Sequence, residues 1–161
     1  MTKKEKEWWK ERDQKTSIDW HYFCKNEDLT EEFIRLAANY VNWENICLFQ
    51  KLSEQFIEEF EDRVNWFAVS IKQKLSDQFI RKHKEQLNFH AMCRSQNFSS
   101  SLMREYADYW TKEDWSDISW NQNLELDFMR EFVKELDWNA IMNTQKFNVD
   151  KMKEFKKYYG N

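Results

Sequence analysis

Three cysteines and three histidines are the residues of this 161-residue chain best suited to metal or redox chemistry. A metal site or a catalytic triad needs such side chains to converge on one point. Cys24, Cys47 and Cys93 instead share one equivalent position, four residues after Trp20, Trp43 and Phe89, where comparable segments carry Ser70, Ser119 and Met142. Side chains that recur at one position of a repeat are spread along it, so a small, weakly polar residue facing the core or the next segment accounts for the column. An odd cysteine count without a secretion signal fits reduced thiols. His21 and His90 each follow the aromatic position by one residue, and His83 stands among Arg81, Lys82 and Lys84; the spacing brings no two of them together. Carboxylates are plentiful, yet none forms a pair in an apolar setting, which leaves a solvated helix face as their reading. The expectation is a protein that is not an enzyme and holds no cofactor and no metal.

Composition removes most other catalytic designs. The chain has one glycine, Gly160, and no proline. Phosphate-cradling loops, dinucleotide fingerprints and nucleophile elbows all require glycine, as do the tightest hairpin turns. An all-α fold remains. A chain that is 41% hydrophobic, with nine tryptophans but no apolar run of membrane-spanning length, reads as a soluble, cytoplasmic protein whose few large side chains supply much of the buried area.

The elements that must carry these residues are visible as a repeat. Trp20, Trp43, Trp66 and Phe89 are spaced by 23 residues; a step of 26 leads to Trp115 and a further 23 to Trp138. Seven residues after the aromatic stands Gln50, Gln73, Gln96, Gln122 or Gln145, with Glu27 in the first segment, and two further on an apolar residue: Leu29, Leu52, Leu75, Phe98, Leu124 or Phe147. Thr30, Ser53, Ser76, Ser99, Glu125 and Asn148 follow, and the pairs Phe33/Ile34, Phe56/Ile57, Phe79/Ile80, Leu102/Met103 and Phe128/Met129 close the pattern, with Met152 continuing the second column. Each segment reads as two short helices. Asp19, Asn42, Asn65, Asn88, Asp114 or Asp137 precedes the aromatic and caps helix A, and the Ser/Thr column caps helix B. Val41 with Ile46, and Leu52 with Ile57, have the spacing of hydrophobic staples. The glutamine sits at the A–B junction, where an amide can donate to and accept from turn backbone in place of glycine. Thr111, Lys112 and Glu113, the three extra residues before Trp115, add nearly one helical turn, and Thr111 with Asp114 forms a capping box. The architecture expected is a short α-solenoid of about six two-helix repeats in a single domain: an N-terminal cap helix within residues 1–17, repeats over 18–155 and a tail at 156–161. The charged first helix, broken only by Trp8 and Trp9, and the last helix B, with Lys151 in place of phenylalanine, read as polar ends.

The units VNWENICLFQKLSEQFIEEF and VNWFAVSIKQKLSDQFIRKH resemble short helical repeats built on V-[ND]-W-x-x-[IV]-x-x-x-Q-x-L-S-x-x-F-I-x-x-F in proteins of large DNA viruses and tailed phages. The resemblance spans about residues 18–155 and is strongest over Trp43–Asn88. It implies a solenoid and a viral or phage source, and it transfers no catalytic residue.

Function then belongs to the variable columns. The positions one and five after the aromatic share one helix-A face and read His21/Lys25, Glu44/Leu48, Phe67/Ile71, His90/Arg94, Ser116/Trp120 and Asn139/Asn143. Leu48, Phe67, Ile71 and Trp120, with His90 and Arg94 beside them, either form an exposed interface patch or thicken the core between units. Charge is also segregated along the chain, although the total is only −4. Residues 27–62 hold ten acidic and two basic groups, and Glu27, Asp28, Glu31, Glu32, Glu54, Glu58, Glu59, Glu61 and Asp62 would give units one and two an acidic surface able to steer a basic partner. The leading expectation is a protein-interaction module of phage or viral origin, acting in the host cytoplasm. It would bind and inhibit a host protein such as a CRISPR complex or another nucleic-acid-binding defence effector. Direct nucleic-acid binding through Arg81, Lys82, Lys84, Arg94 and Arg104 is the alternative, opposed by the net charge. A self-assembling virion component is the third reading. A capped stack should remain a monomer or a small closed oligomer away from membranes.

Overall fold

The caps foreseen in the sequence start most of the helices. The computed structural model describes residues 1–11 and 20–144. Over that range it is all-helical: α1 (Lys3–Glu11), α2 (Trp20–Asn26), α3 (Glu31–Leu36), α4 (Trp43–Phe49), α5 (Glu54–Glu59), α6 (Trp66–Lys72), α7 (Asp77–Lys82), α8 (Phe89–Ser95), α9 (Ser100–Glu105), α10 (Lys112–Asn121), α11 (Leu126–Glu131) and α12 (Trp138–Thr144), with a 3-10 turn at Ala107–Tyr109. The even-numbered members from α2 to α12 are the A helices and the odd-numbered ones from α3 to α11 the B helices. The expected roles of Asp19, Gln145, Phe147, Asn148, Lys151 and Met152 lie outside the described residues, as does the tail at 156–161.

Asn42 and Asn65 accept from the backbone N–H of Asn45 and Ala68, each at 2.9 Å, and Ser53 and Ser76 accept from Phe56 and Phe79 at 3.2 Å. Caps of this kind contribute about 1 kcal/mol each. In the inserted segment the start of helix A moves one turn upstream. Thr111 is the N-cap and Asp114 the third helical residue, and the two exchange reciprocal hydrogen bonds. Glu125 stands at the cap of α11 without a side-chain bond, so that helix lacks the usual device.

Helix ends explain how the chain turns without glycine. Each of α4, α6 and α10 ends on a glutamine in extended backbone (Gln50 ψ 150°, Gln73 ψ 144°, Gln122 ψ 148°). The B helices end near ψ 10–32°, as at Ala37 and Phe60, and one further turn follows in which the amides of Arg63 and Val64 both reach the Phe60 carbonyl. No described residue has positive φ.

The chain divides into two compact units, Met1–Met92 and Cys93–Asn161. In the first, α2 packs on α4 and α4 on α6; in the second, α10 packs on α12. The paired B-helix residues Phe33/Ile34, Phe56/Ile57, Phe79/Ile80, Leu102/Met103 and Phe128/Met129 are buried throughout. Full burial of each such side chain is worth about 1.5–3 kcal/mol, which is what makes six-residue helices viable. The aromatic column is half-buried except at buried Trp115. Its rings pack at a tilt on the residues that end the B helices, Trp43 on Phe60 at 4.8 Å and Trp115 on Phe132 at 5.1 Å. The indole N–H groups of Trp43, Trp66 and Trp138 donate to the carbonyl five residues upstream, at Ala38, Glu61 and Val133, closing the turn that precedes each helix.

Candidate interaction surfaces

Which side chains are available to a partner depends on which are already used to join the repeats. The glutamines are used. Gln50 Nε2 donates to the carbonyls of Cys24 at 2.7 Å and Glu27 at 2.8 Å, while its Oε1 accepts from the Leu29 amide at 2.8 Å. Gln73 repeats this on Cys47, Gln50 and Leu52 at 2.7, 2.8 and 2.9 Å. Gln122 does so on Cys93, Gln96 and Phe98 at 3.0, 2.7 and 2.9 Å, so the three-residue insertion leaves the clamp intact. The amide therefore satisfies an A–B junction as its chemistry suggests, but the junction belongs to the preceding repeat.

The cysteine column has a matching task. Ser70 Oγ accepts from the Asn88 amide and Ser119 Oγ from the Asp137 amide, both at 2.9 Å, and each donates back to its own helix, to Trp66 and Trp115. At Cys24 and Cys47 the amides of Asn42 and Asn65 stand in the equivalent place and act to lower the thiol pKa, against the larger effect of burial. The column thus anchors the cap of the next helix A. All three thiols are free and buried. Burial pushes Cys47 up to about 11 and Cys93 up to about 12, so neither is a thiolate at neutral pH. Met142, at the same position of α12, is 49% exposed. Among the described residues no three His, Cys, Asp or Glu side chains group as metal ligands.

Most of the acidic residues singled out in the sequence are engaged within the first unit. Glu31 accepts from the Ser53 amide at 2.6 Å and Glu54 from the Ser76 amide and hydroxyl, each bracing the cap of the following helix B. Glu5 of α1 serves Thr30 in the same way, at 2.6 and 3.0 Å. Burial opposes ionisation of Glu5, but hydrogen bonds from Thr30 and Thr2 outweigh it and hold the carboxyl below its ordinary range. Glu59 pairs with Arg35 at 2.7 Å, Glu58 with Lys82 at 2.8 Å, Glu27 with Lys4, and Glu32 with the amino terminus. The Lys82 ammonium, followed by His83, keeps Glu58 below the usual carboxylate range. Asp28, Glu61 and Asp62 are exposed and take no side-chain partner among the described residues. Glu58 and Glu59 are thus met by opposite charge on neighbouring B helices, whereas Glu31 and Glu54 accept from neutral cap groups of the following helix B.

The basic residues of the alternative reading are treated alike. Lys82 faces Glu58, Arg94 pairs with Asp117 at 2.6 Å, and Arg104 spans Asp127 at 2.9 Å and Glu131 at 2.6 Å while covering the Phe128 ring. Lys84 lies 3.8 Å from Glu85.

The helix-A face divides. Phe67 is 54% and Trp120 47% exposed, in the first and second units respectively, so both present rings to solvent. Leu48 and Ile71 are half-buried and contribute to both core and surface. His90 and Arg94 are exposed, Arg94 with its carboxylate partner. The periodicity does not single out Phe49, 45% exposed and six residues after Trp43 in α4, over whose ring the Lys25 ammonium sits at 5.4 Å. Its signal was an aromatic in a column otherwise occupied by Asn26, Lys72, Ser95, Asn121 and Thr144.

Two-helix repeats packed in series and tied by side-chain clamps from one to the next define an all-α helical-repeat protein of the solenoid class. No family model, no curated protein and no solved structure matches the chain. Among the described residues no helix is long and apolar enough to cross a membrane.

Proposed function

We propose that the protein is a protein-interaction module, of phage or large-DNA-virus origin, that binds and inhibits a host protein, with defence effectors as the target class. The observation that carries the reading is the exposure of Phe67 and Phe49 on the A helices. The fold does not need an apolar ring there, since the equivalent positions hold polar residues, His, Glu, Ser or Asn for Phe67 and Asn, Lys, Ser or Thr for Phe49, and aromatic side chains are enriched among interface anchors. The resemblance to viral repeats supports a host partner. Internal pairing of Glu31, Glu54, Glu58 and Glu59 weakens recognition through an acidic surface, and pairing of Lys82, Arg94 and Arg104 weakens recognition of phosphates.

The test is affinity capture from host lysate with the full chain, beside Phe67→Ala and the charge reversal Glu61→Lys/Asp62→Lys. A host protein retained by the wild type and lost with Phe67→Ala supports the reading. Loss only with the charge reversal returns the site to the acidic positions. Salt-sensitive micromolar binding of labelled DNA or RNA with no protein retained refutes it.

A further inference from the structure

Resting on the reading of the chain as an interaction module, we propose that the helix-A face of the first unit is the docking surface. Its partner is an amphipathic segment whose apolar side chains are flanked by carboxylates. The contact of Lys25 with the Phe49 ring fixes the register: the residue five after the aromatic of one helix A lies beside the residue six after the aromatic of the next. The same register sets Leu48 of α4 beside Lys72 of α6, with Ile71 and Phe67 one helical turn apart on the outer side. Ammonium and apolar groups thus alternate across the three packed helices α2, α4 and α6.

Charge on this face has the opposite character to that of the B helices. Lys25 and Lys72, and Lys51 and Lys74 in the two A–B turns that follow α4 and α6, are exposed and have no carboxylate partner among the described residues. The B-helix carboxylates Glu31, Glu54, Glu58 and Glu59 are all occupied. A partner that covers Phe67 and Phe49 therefore brings its flanking groups against ammonium groups that have no carboxylate among the described residues, Lys25 resting only on the Phe49 ring, and carboxylates complement them. Phe67 and Phe49 can also stack on bases, and exposed Glu44 opposes phosphate and carboxylate alike; the aliphatic Leu48 and Ile71 on the same helices are what favour the apolar side chains of a peptide over bases.

The experiment selects a random peptide display library on the immobilised full chain and measures enriched peptides by fluorescence anisotropy. Phe67→Ala and Lys25→Glu/Lys72→Glu alter exposed side chains, and their fold is checked by circular dichroism. The expected result is enrichment of peptides combining aromatic or aliphatic residues with Asp and Glu, whose affinity falls at least about tenfold in both variants. Enrichment of Lys/Arg-rich peptides, or of acidic peptides that bind both variants unchanged, overturns the surface assignment and leaves the module reading standing. Retention of single-stranded DNA or phosphatidylserine vesicles by the wild type, lost in Lys25→Glu/Lys72→Glu, overturns it in favour of those ligands. If no peptide enriches and no host protein is captured from lysate, the module reading fails together with it.

Discussion

Replacing Gln73 by alanine should uncouple the second repeat from the third. The side chain is buried and satisfies three backbone groups, the carbonyls of Cys47 and Gln50 and the amide of Leu52, at 2.7 to 2.9 Å. A buried polar group deprived of its partner costs about 1–3 kcal/mol. Three such groups set a ceiling near 9 kcal/mol, but the space left by truncation lets water reach some of them, so a loss of about 3–5 kcal/mol is expected. That is a large share of the roughly 5–15 kcal/mol that stabilises a domain. Urea unfolding followed by circular dichroism measures the total, and hydrogen exchange at the Leu52 amide measures the local part. Gln73→Glu sharpens the test. At neutral pH it keeps the acceptor for Leu52 but sets a carboxylate against two carbonyl oxygens, so it should be worse than alanine. It should recover as acid protonates the carboxyl and restores one donor. A loss below about 1 kcal/mol for Gln73→Ala, unchanged protection at Leu52, or a glutamate variant no worse than alanine at neutral pH would refute the clamp.

Three further outcomes follow from the side chains already placed. Glu5 titrates below its unfolded value of 4.5, so its contribution is present above that pH and is lost as pH falls through the folded value; Glu5→Gln should be less stable than wild type at neutral pH and lose less on acidification, by thermal melts across the acid range. His83 is buried between Trp66 and Phe79, ring centroids at 5.1 and 4.4 Å, where Phe60 and Phe132 stand in other repeats; His83→Phe should match or exceed wild-type stability by up to about 1 kcal/mol, read from urea midpoints. The buried thiols of Cys24, Cys47 and Cys93 should resist Ellman's reagent in the native protein and react, three per chain, in denaturant.

Much of this architecture was legible because each repeat states it again. The Asn and Ser columns named the caps, the Phe/Ile pairs named the core, and Thr111 with Asp114 announced the displaced start of α10. Less legible were bonds between repeats, since a sequence column fixes a residue's place within its own unit and not its partner in another. Gln73 could be placed at a junction, but its service to Cys47 and Gln50, 26 and 23 residues upstream, depends on how α4 lies against α6. For the same reason Glu54, Glu58 and Glu59 read as loose surface charge until the B helices brought them to Ser76, Lys82 and Arg35. The mixture of cysteine with serine in one column did carry a usable signal. What Cys47 and Ser70 have in common is small size and the ability to accept an N–H. The helix-A face stayed open between core and surface because Leu48 and Ile71 do belong to both.

The clamps on Cys24, Glu27 and Leu29, repeated on Cys47, Gln50 and Leu52, span only 21 to 26 residues of chain. Closing one requires little more than a single repeat to be ordered, which gives the first unit the low contact order associated with fast folding. It also gives assembly a direction. During synthesis the A–B turn of a repeat keeps two bare carbonyls and a bare amide until the glutamine of the following repeat has left the ribosome. Each new repeat therefore completes the one made before it, and a nascent chain would consolidate in steps of one repeat from its amino-terminal end.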